Sequence, residues 1–350
     1  MGCWAESAYG TPAMAGNDAR SADVRNSDAA EARAFWIGDG GRGEIRTAQL
    51  PPPGPEEVLV RTRHSAVSRG SELLVHRGGV PEGQRGVMRA PFQEGEFPWP
   101  VKYGYLNVGE VEQGPQELLG RAVFCLHPHQ TRYVVPADAV VPVPDGVPAE
   151  RAVLAGTVET AVNALWDAAP RVGDRIAVVG AGMVGCCAAR LLRGIPGTRV
   201  QLVDVDPARA ATAEGLGVDF AQPEQAAGGC DLVVHASATE DGLARALELL
   251  APEGTAIELS WYGDRRVTVP LGEDFHARRL TLRSSQVGTV SPARSRRGFR
   301  ERLALALDLL ADPAFDVLIT GSCAFEDLPA AVRRMASGEL GGLCLRVDYA

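Results

Sequence analysis

Lysine is almost missing from this chain. Among 35 lysines and arginines in 350 residues, Lys102 is the only lysine. Isoleucine and asparagine are also scarce, while Arg, Ala, Gly and Pro abound, a skew that resembles translation from a GC-rich genome. An exchangeable surface lysine drifts to arginine under such a bias, so the survival of Lys102 points to a specific role. Long apolar runs are missing as well. No stretch reaches 18 apolar residues, so no membrane-spanning helix and no membrane partner are expected. Excess positive charge is missing: 44 acidic residues against 35 basic give a net charge of −9. This argues against a general nucleic-acid binder, which needs a positive field to hold phosphates. The seven cysteines, Cys3, Cys125, Cys186, Cys187, Cys230, Cys323 and Cys344, are odd in number and contain no C-x-x-C pair. Reduced thiols in a cytoplasm fit this better than a disulfide framework.

What is present is ordinary for a globular protein, with 45% hydrophobic and 23% charged residues and enough chain for two domains. The first 33 residues lack the apolar core of a secretory signal and show no sustained period. They read as a disordered tail, with Met14 as an alternative initiator. From Ala34 the pattern becomes short alternating runs such as "EEVLVRTRHSAV", "VGEVEQG", "GRAVFCL" and "TRYVVP", broken by Gly and Pro, which predicts a β-rich module. At Pro148 it switches to helical periodicity, and strands then alternate with helices. That alternation predicts an α/β domain with a doubly wound parallel sheet covered on both faces. The expected division is a tail over 1–33, a β-rich domain over 34–154 and 291–350, and the α/β domain over 155–290.

The segment "IAVVGAGMVGCCAARLL" carries G-x-G-x-x-G as Gly180, Gly182 and Gly185, after a buried-type strand and at the start of a helix. In that context Gly180 makes the turn, Gly182 lets the backbone approach a pyrophosphate, and Gly185 lets helix and strand pack closely. Met183 and Val184 open the helix, whose N-terminus attracts phosphate. Asp204 ends the next strand, nineteen residues beyond Gly185. A carboxylate there accepts hydrogen bonds from ribose hydroxyls and repels a 2′-phosphate, so NAD(H) is expected over NADP(H). Arg209 would assist an NADP phosphate, but it reads more simply as a solvated helix residue.

These features, with "VETAVNALWDA", "RYVVPADAVVPVPDGV" and "FEDLPAAVRRMASG", resemble the medium-chain dehydrogenase/reductase family over roughly Ala34 to Ala350. The resemblance implies a GroES-like catalytic domain beside a Rossmann domain, a nicotinamide cofactor, a small-molecule substrate and a homodimer. It also implies that Thr160, Ser237, Ser260 and Gln286 contribute to cofactor binding. The zinc members hold their catalytic metal with Cys, a His-Glu pair and a further Cys or Glu. Here Ser68 or Arg69, Tyr105-Leu106 and Gly156 stand at those positions, and the four-cysteine lobe is absent. Hydroxyls and glycine do not replace thiolate and imidazole on zinc. The expectation is a zinc-independent branch, nearer to the subgroup that includes bacteriochlorophyllide-type dehydrogenases than to the alcohol dehydrogenases proper. A metal set of Cys125, His127 and His129 is disfavoured because Pro128 breaks the alternation, and Glu72 and Glu159 read as buried hydrogen-bonding groups.

Without zinc, a substrate carbonyl must be polarised by hydrogen-bond donors. Tyr105 can donate a proton, or simply fill the volume left by the metal. Lys102, three residues earlier, would lower the Tyr105 pKa if close. His127 and His129 are alternative acid/base groups, and His64 ranks below them. The sequence therefore suggests a cytoplasmic, zinc-independent, NAD(H)-dependent oxidoreductase acting on an alcohol/carbonyl pair. A reductase of an activated C=C bond and a non-catalytic dinucleotide-binding sensor or assembly subunit are the rivals.

Overall fold

The computed structural model describes residues 30–272 and 274–350. The chain divides into two compact units, one holding the described residues up to Val153 together with Gly321–Ala350, the other Leu154–Thr320.

The first unit is β-rich. In chain order it contains β1 (Ala30–Ile37), β2 (Gly43–Leu50), β3 (Glu57–Val67), β4 (Glu94–Gly95), β5 (Val101–Lys102), β6 (Asn107–Gln113), β7 (Ala122–Cys125), β8 (Arg132–Pro136) and β9 (Val140–Pro142). One sheet runs β2-β1-β5-β4. The alternation at the start of β3 buries Val58 and Val60 on one face, as in a half-buried strand. With Val111, Val123, Cys125, Tyr133 and Val140 they form one core. A second core gathers Phe35, Ile37, Val75, Tyr103, Phe325 and Leu328 under the helices Arg69–His76 and Leu328–Ala336. Each fully buried side chain of this kind contributes about 1.5–3 kcal/mol. Residues 30–33, expected in the tail, lie in β1, where the register Ala30↔Leu50 to Ile37↔Gly43 ties them to β2. The rest of the tail reading falls outside the described residues.

The second unit holds β10 (Arg175–Val179), β11 (Arg199–Val203), β12 (Asp219–Ala221), β13 (Cys230–His235), β14 (Leu250–Glu258) and β15 (Thr281–Ser284). All are parallel, in the order β12-β11-β10-β13-β14-β15. This is the doubly wound Rossmann order, with its reversal between β10 and β13. Strand β12, only "DFA", escapes the sequence pattern because three residues show no period.

The chain closes with β16 (Ile319–Ala324) and β17 (Cys344–Asp348), which extend the remaining sheet as β16-β17-β3-β6-β7-β9, with β8 also paired to β3. The return to the β-rich unit comes at Gly321 rather than at the expected residue 291. The intervening helix Phe299–Leu309 belongs to the second unit because Arg302, 1% exposed, donates from Nε to Glu159 at 3.0 Å and from a guanidinium nitrogen to Asn163 Oδ1 at 2.6 Å.

Candidate functional sites

In the β-rich unit a polar network occupies the region that the sequence marks. Tyr105 Oη lies 2.7 Å from Ser68 Oγ and 3.0 Å from Ser71 Oγ. A phenol carries one proton, so one serine receives it and the other donates in return. Ser68 and Ser71 are brought together by the first turn of the helix Arg69–His76, and the same turn supplies Glu72. Glu72 is buried. One oxygen accepts the Ser68 backbone N–H at 2.7 Å, and the other accepts from His129 Nε2 at 2.8 Å. The second ring nitrogen of His129 meets Ser65 Oγ at 2.7 Å, and Ser65 meets Tyr349 Oη at 2.9 Å. Gly104, at φ +139°, leaves room for the His129 ring, since a Cβ there would stand 3.1 Å from it.

Burial raises the pKa of Tyr105. The bonds to Ser68 and Ser71 oppose the rise and the Glu72 charge adds to it. The phenol is therefore held protonated, against the expectation that Lys102 would lower it. Lys102 is engaged elsewhere: its ammonium pairs with Glu94 and donates to Gln130 Oε1 at 2.7 Å. Burial lowers its own pKa, with Glu94 opposing. Its charge acts on His127, whose pKa burial lowers far and Lys102 lowers further. His127 donates from Nδ1 to the Pro128 carbonyl at 2.9 Å and stacks on Tyr133 at 3.8 Å. The ring lies in an aromatic stack, where burial disfavours its charged form. His64 pairs with Asp348 at 2.8 Å.

Among the described residues, Ser68 and Tyr105, at positions that resemble the zinc-ligand positions, are hydrogen-bonded to each other, and both ring nitrogens of His129 have partners. Cys125 is held as a thiol by burial. Among the described residues no cluster of three or more His, Cys, Asp or Glu suits a metal ion, and no helix is long and apolar enough to cross a membrane.

The second unit carries the dinucleotide signature at the carboxyl end of its sheet. Gly180 has φ +108°, and a Cβ there would meet the Ser237 backbone nitrogen at 2.6 Å. A Cβ on Gly185 would meet the Gly180 carbonyl at 1.9 Å, whereas Gly182 has open space around it. Gly182 starts the helix Met183–Arg193 and supplies no side-chain cap. An uncapped helix start beside an open glycine suits a pyrophosphate. Asp204 accepts the Ala181 N–H at 2.7 Å and the Asp206 N–H at 2.9 Å. A carboxylate has about four lone-pair sites, so capacity for ribose hydroxyls remains. Arg209 pairs with Asp206 at 3.4 Å. Thr160 returns its hydroxyl to the Gly156 carbonyl at 3.0 Å, and the Gln286 carbonyl accepts from Asn163 at 3.3 Å. Ser237 and Ser260 join His235 and Glu258 at the ends of β13 and β14.

The fold is that of a Rossmann unit with its glycine loop and a β-rich unit. No family model matches the chain. It is 34% identical to an L-threonine 3-dehydrogenase of Mesorhizobium japonicum over 48% of this chain and 55% of that protein. The chain spans 55% to 62% of the curated relatives it matches, which include an alcohol dehydrogenase of Cupriavidus necator. Among solved structures it superposes on 2R,3R-butanediol dehydrogenase of Bacillus subtilis with TM-score 0.73 at 17% identity, covering 91% of this chain and 99% of that one. An Escherichia coli alcohol dehydrogenase solved with NADH gives TM-score 0.72 at 16% identity over 91% and 99% of the two chains.

Ser65, Ser71, Tyr349, His235 and Glu258 were not expected from the sequence, and Glu72 was expected only as a buried capping or hydrogen-bonding group. The spacing of "SRGSEL" contained the signal for Ser68, Ser71 and Glu72, because residues three and four apart share a helix face. Nothing local links Ser65 to Tyr349.

Proposed function

We propose that this chain is a zinc-independent oxidoreductase that uses NAD(H) and acts on an alcohol/carbonyl pair, with Tyr105 as proton donor. The reading rests first on the cradle formed by Gly180, Gly182, Gly185 and the uncapped helix start. When bound, the nicotinamide supplies or accepts the hydride. The named relatives are dehydrogenases and reductases, which supports this class of chemistry.

Tyr105 holds the other half of the reaction. Burial keeps its proton in place at neutral pH, so it can donate to a substrate oxygen as negative charge builds there. Ser68 and Ser71 fix the ring oxygen and can return a proton to it. Asp204 favours NAD(H), because its carboxylate would face a phosphate dianion in NADP(H).

The test is direct. Purified protein is titrated with NADH and NADPH and screened for turnover of alcohols and carbonyls before and after chelation. NADH binding with chelator-resistant turnover supports the reading. Binding without turnover of any carbonyl supports the sensor or assembly role instead.

A further inference from the structure

A second polar network lies in the Rossmann unit, centred on the buried His235. His235 and Glu258 are direct cross-strand partners at the carboxyl ends of β13 and β14. His235 Nδ1 donates to Glu258 Oε2 at 2.7 Å, and Nε2 meets Ser237 Oγ at 2.7 Å. Ser237 Oγ also meets Thr239 Oγ1 at 2.9 Å and the Thr239 N–H at 3.4 Å, while Thr239 Oγ1 accepts the Gly242 N–H at 3.1 Å.

Burial alone would raise the Glu258 pKa, but the bonds from His235 and Ser260 outweigh it and hold the carboxylate below its usual range. The Ser260 N–H at 2.7 Å and the Tyr262 hydroxyl at 3.2 Å also point at that carboxylate. The guanidinium of Arg265 lies over the Tyr262 ring and donates to the Ala238 carbonyl at 3.1 Å.

The constellation of serine, histidine and carboxylate is shaped like a hydrolase triad, but its serine oxygen is engaged by His235 and Thr239 and packs close to Gly242. A Cβ on Gly242 would stand 2.1 Å from Ser237 Oγ and 2.9 Å from His235 Nε2. The arrangement holds a charge in place rather than presenting a nucleophile. Its position gives that charge a target. A doubly wound sheet binds one mononucleotide half on each side of its reversal. Asp204, at the end of β11, marks the adenosine side, so β13 and β14 carry the nicotinamide side.

We propose that Glu258, held ionised and oriented by His235, is a specificity-determining residue that favours the oxidised, positively charged nicotinamide over the reduced, neutral one. The proposal rests on the reading that this unit binds NAD(H). Ser237 and His235 act as positioning residues for the carboxylate.

Calorimetric titration of the full chain with NAD+ and NADH tests it. Glu258→Gln is expected to weaken NAD+ binding about five- to tenfold while NADH changes less than about twofold, the size of one charge pair about 4 Å apart in a water-like dielectric. Glu258→Asp keeps the charge and should keep most of the wild-type ratio, which separates charge from shape. Equal weakening of both forms by Glu258→Gln would make the residue merely structural and overturn the proposal, as would an unchanged ratio. If the wild type binds neither form, the cofactor reading itself fails and this assignment falls with it.

Discussion

His129 and Glu72, 57 residues apart in the chain, meet at 2.8 Å with side chains only 1% and 3% exposed. The pair anchors the Tyr105 site, since Glu72 also fixes the backbone of Ser68, a hydrogen-bond partner of Tyr105. Breaking a buried pair of this kind costs about 3–5 kcal/mol, because the remaining partner stays buried alone. Glu72→Ala should lose stability on that scale in chemical denaturation. A loss below about 1 kcal/mol would mean that water takes over the role of the carboxylate.

Cofactor preference follows from Asp204. NADH should bind more tightly than NADPH by about tenfold or more, the scale of a carboxylate meeting a phosphate dianion. Asp204→Asn should bring the ratio towards one. It should also weaken both cofactors somewhat, because Asp204 holds the Ala181 N–H of the glycine loop. Equal affinities in the wild type would contradict the assignment.

Glu159 makes stability depend on pH. Burial raises its pKa from 4.5 to about 7 despite the Arg302 charge. A raised folded-state value stabilises the fold fully below the unfolded pKa, and that contribution disappears as pH rises through the folded one. Between pH 4.5 and about 7 the wild type should therefore lose up to about 3 kcal/mol relative to Glu159→Gln. Denaturation curves for both proteins across that range check this, and parallel profiles would contradict it.

Metal content is a further check. Purified protein should contain less than one zinc per chain and keep its turnover after chelation. One tightly held zinc per chain, with activity lost on its removal, would contradict the zinc-free reading.

The sequence revealed whatever depended on local spacing. The glycine motif was legible because its contacts are fixed within a few residues, as the 1.9 Å approach at Gly185 shows. Lys102 misled because nearness in sequence is not nearness in direction. Lys102 ends β5, and the chain turns through Gly104 before Tyr105, so Lys102 faces Glu94 and Gln130 while Tyr103 and Tyr105 meet edge to face at 6.1 Å. The late domain return was hidden for another reason. It depends on Arg302 reaching Glu159 across 143 residues, and a charged residue in a basic helix reads as solvated until its partner is known. The His235–Glu258 pair was invisible because it arises from the parallel register of β13 and β14.

The single-turnover rate of Tyr105→Phe with saturating NADH and an accepted carbonyl tests the central claim most directly. The substitution keeps the ring volume and removes only the hydroxyl shared with Ser68 and Ser71. The rate should fall ~10²–10⁴-fold, the worth of a positioned acid, with NADH affinity unchanged. A fall smaller than about fivefold would show that Tyr105 only fills space, and would move the proton-donor role towards His129.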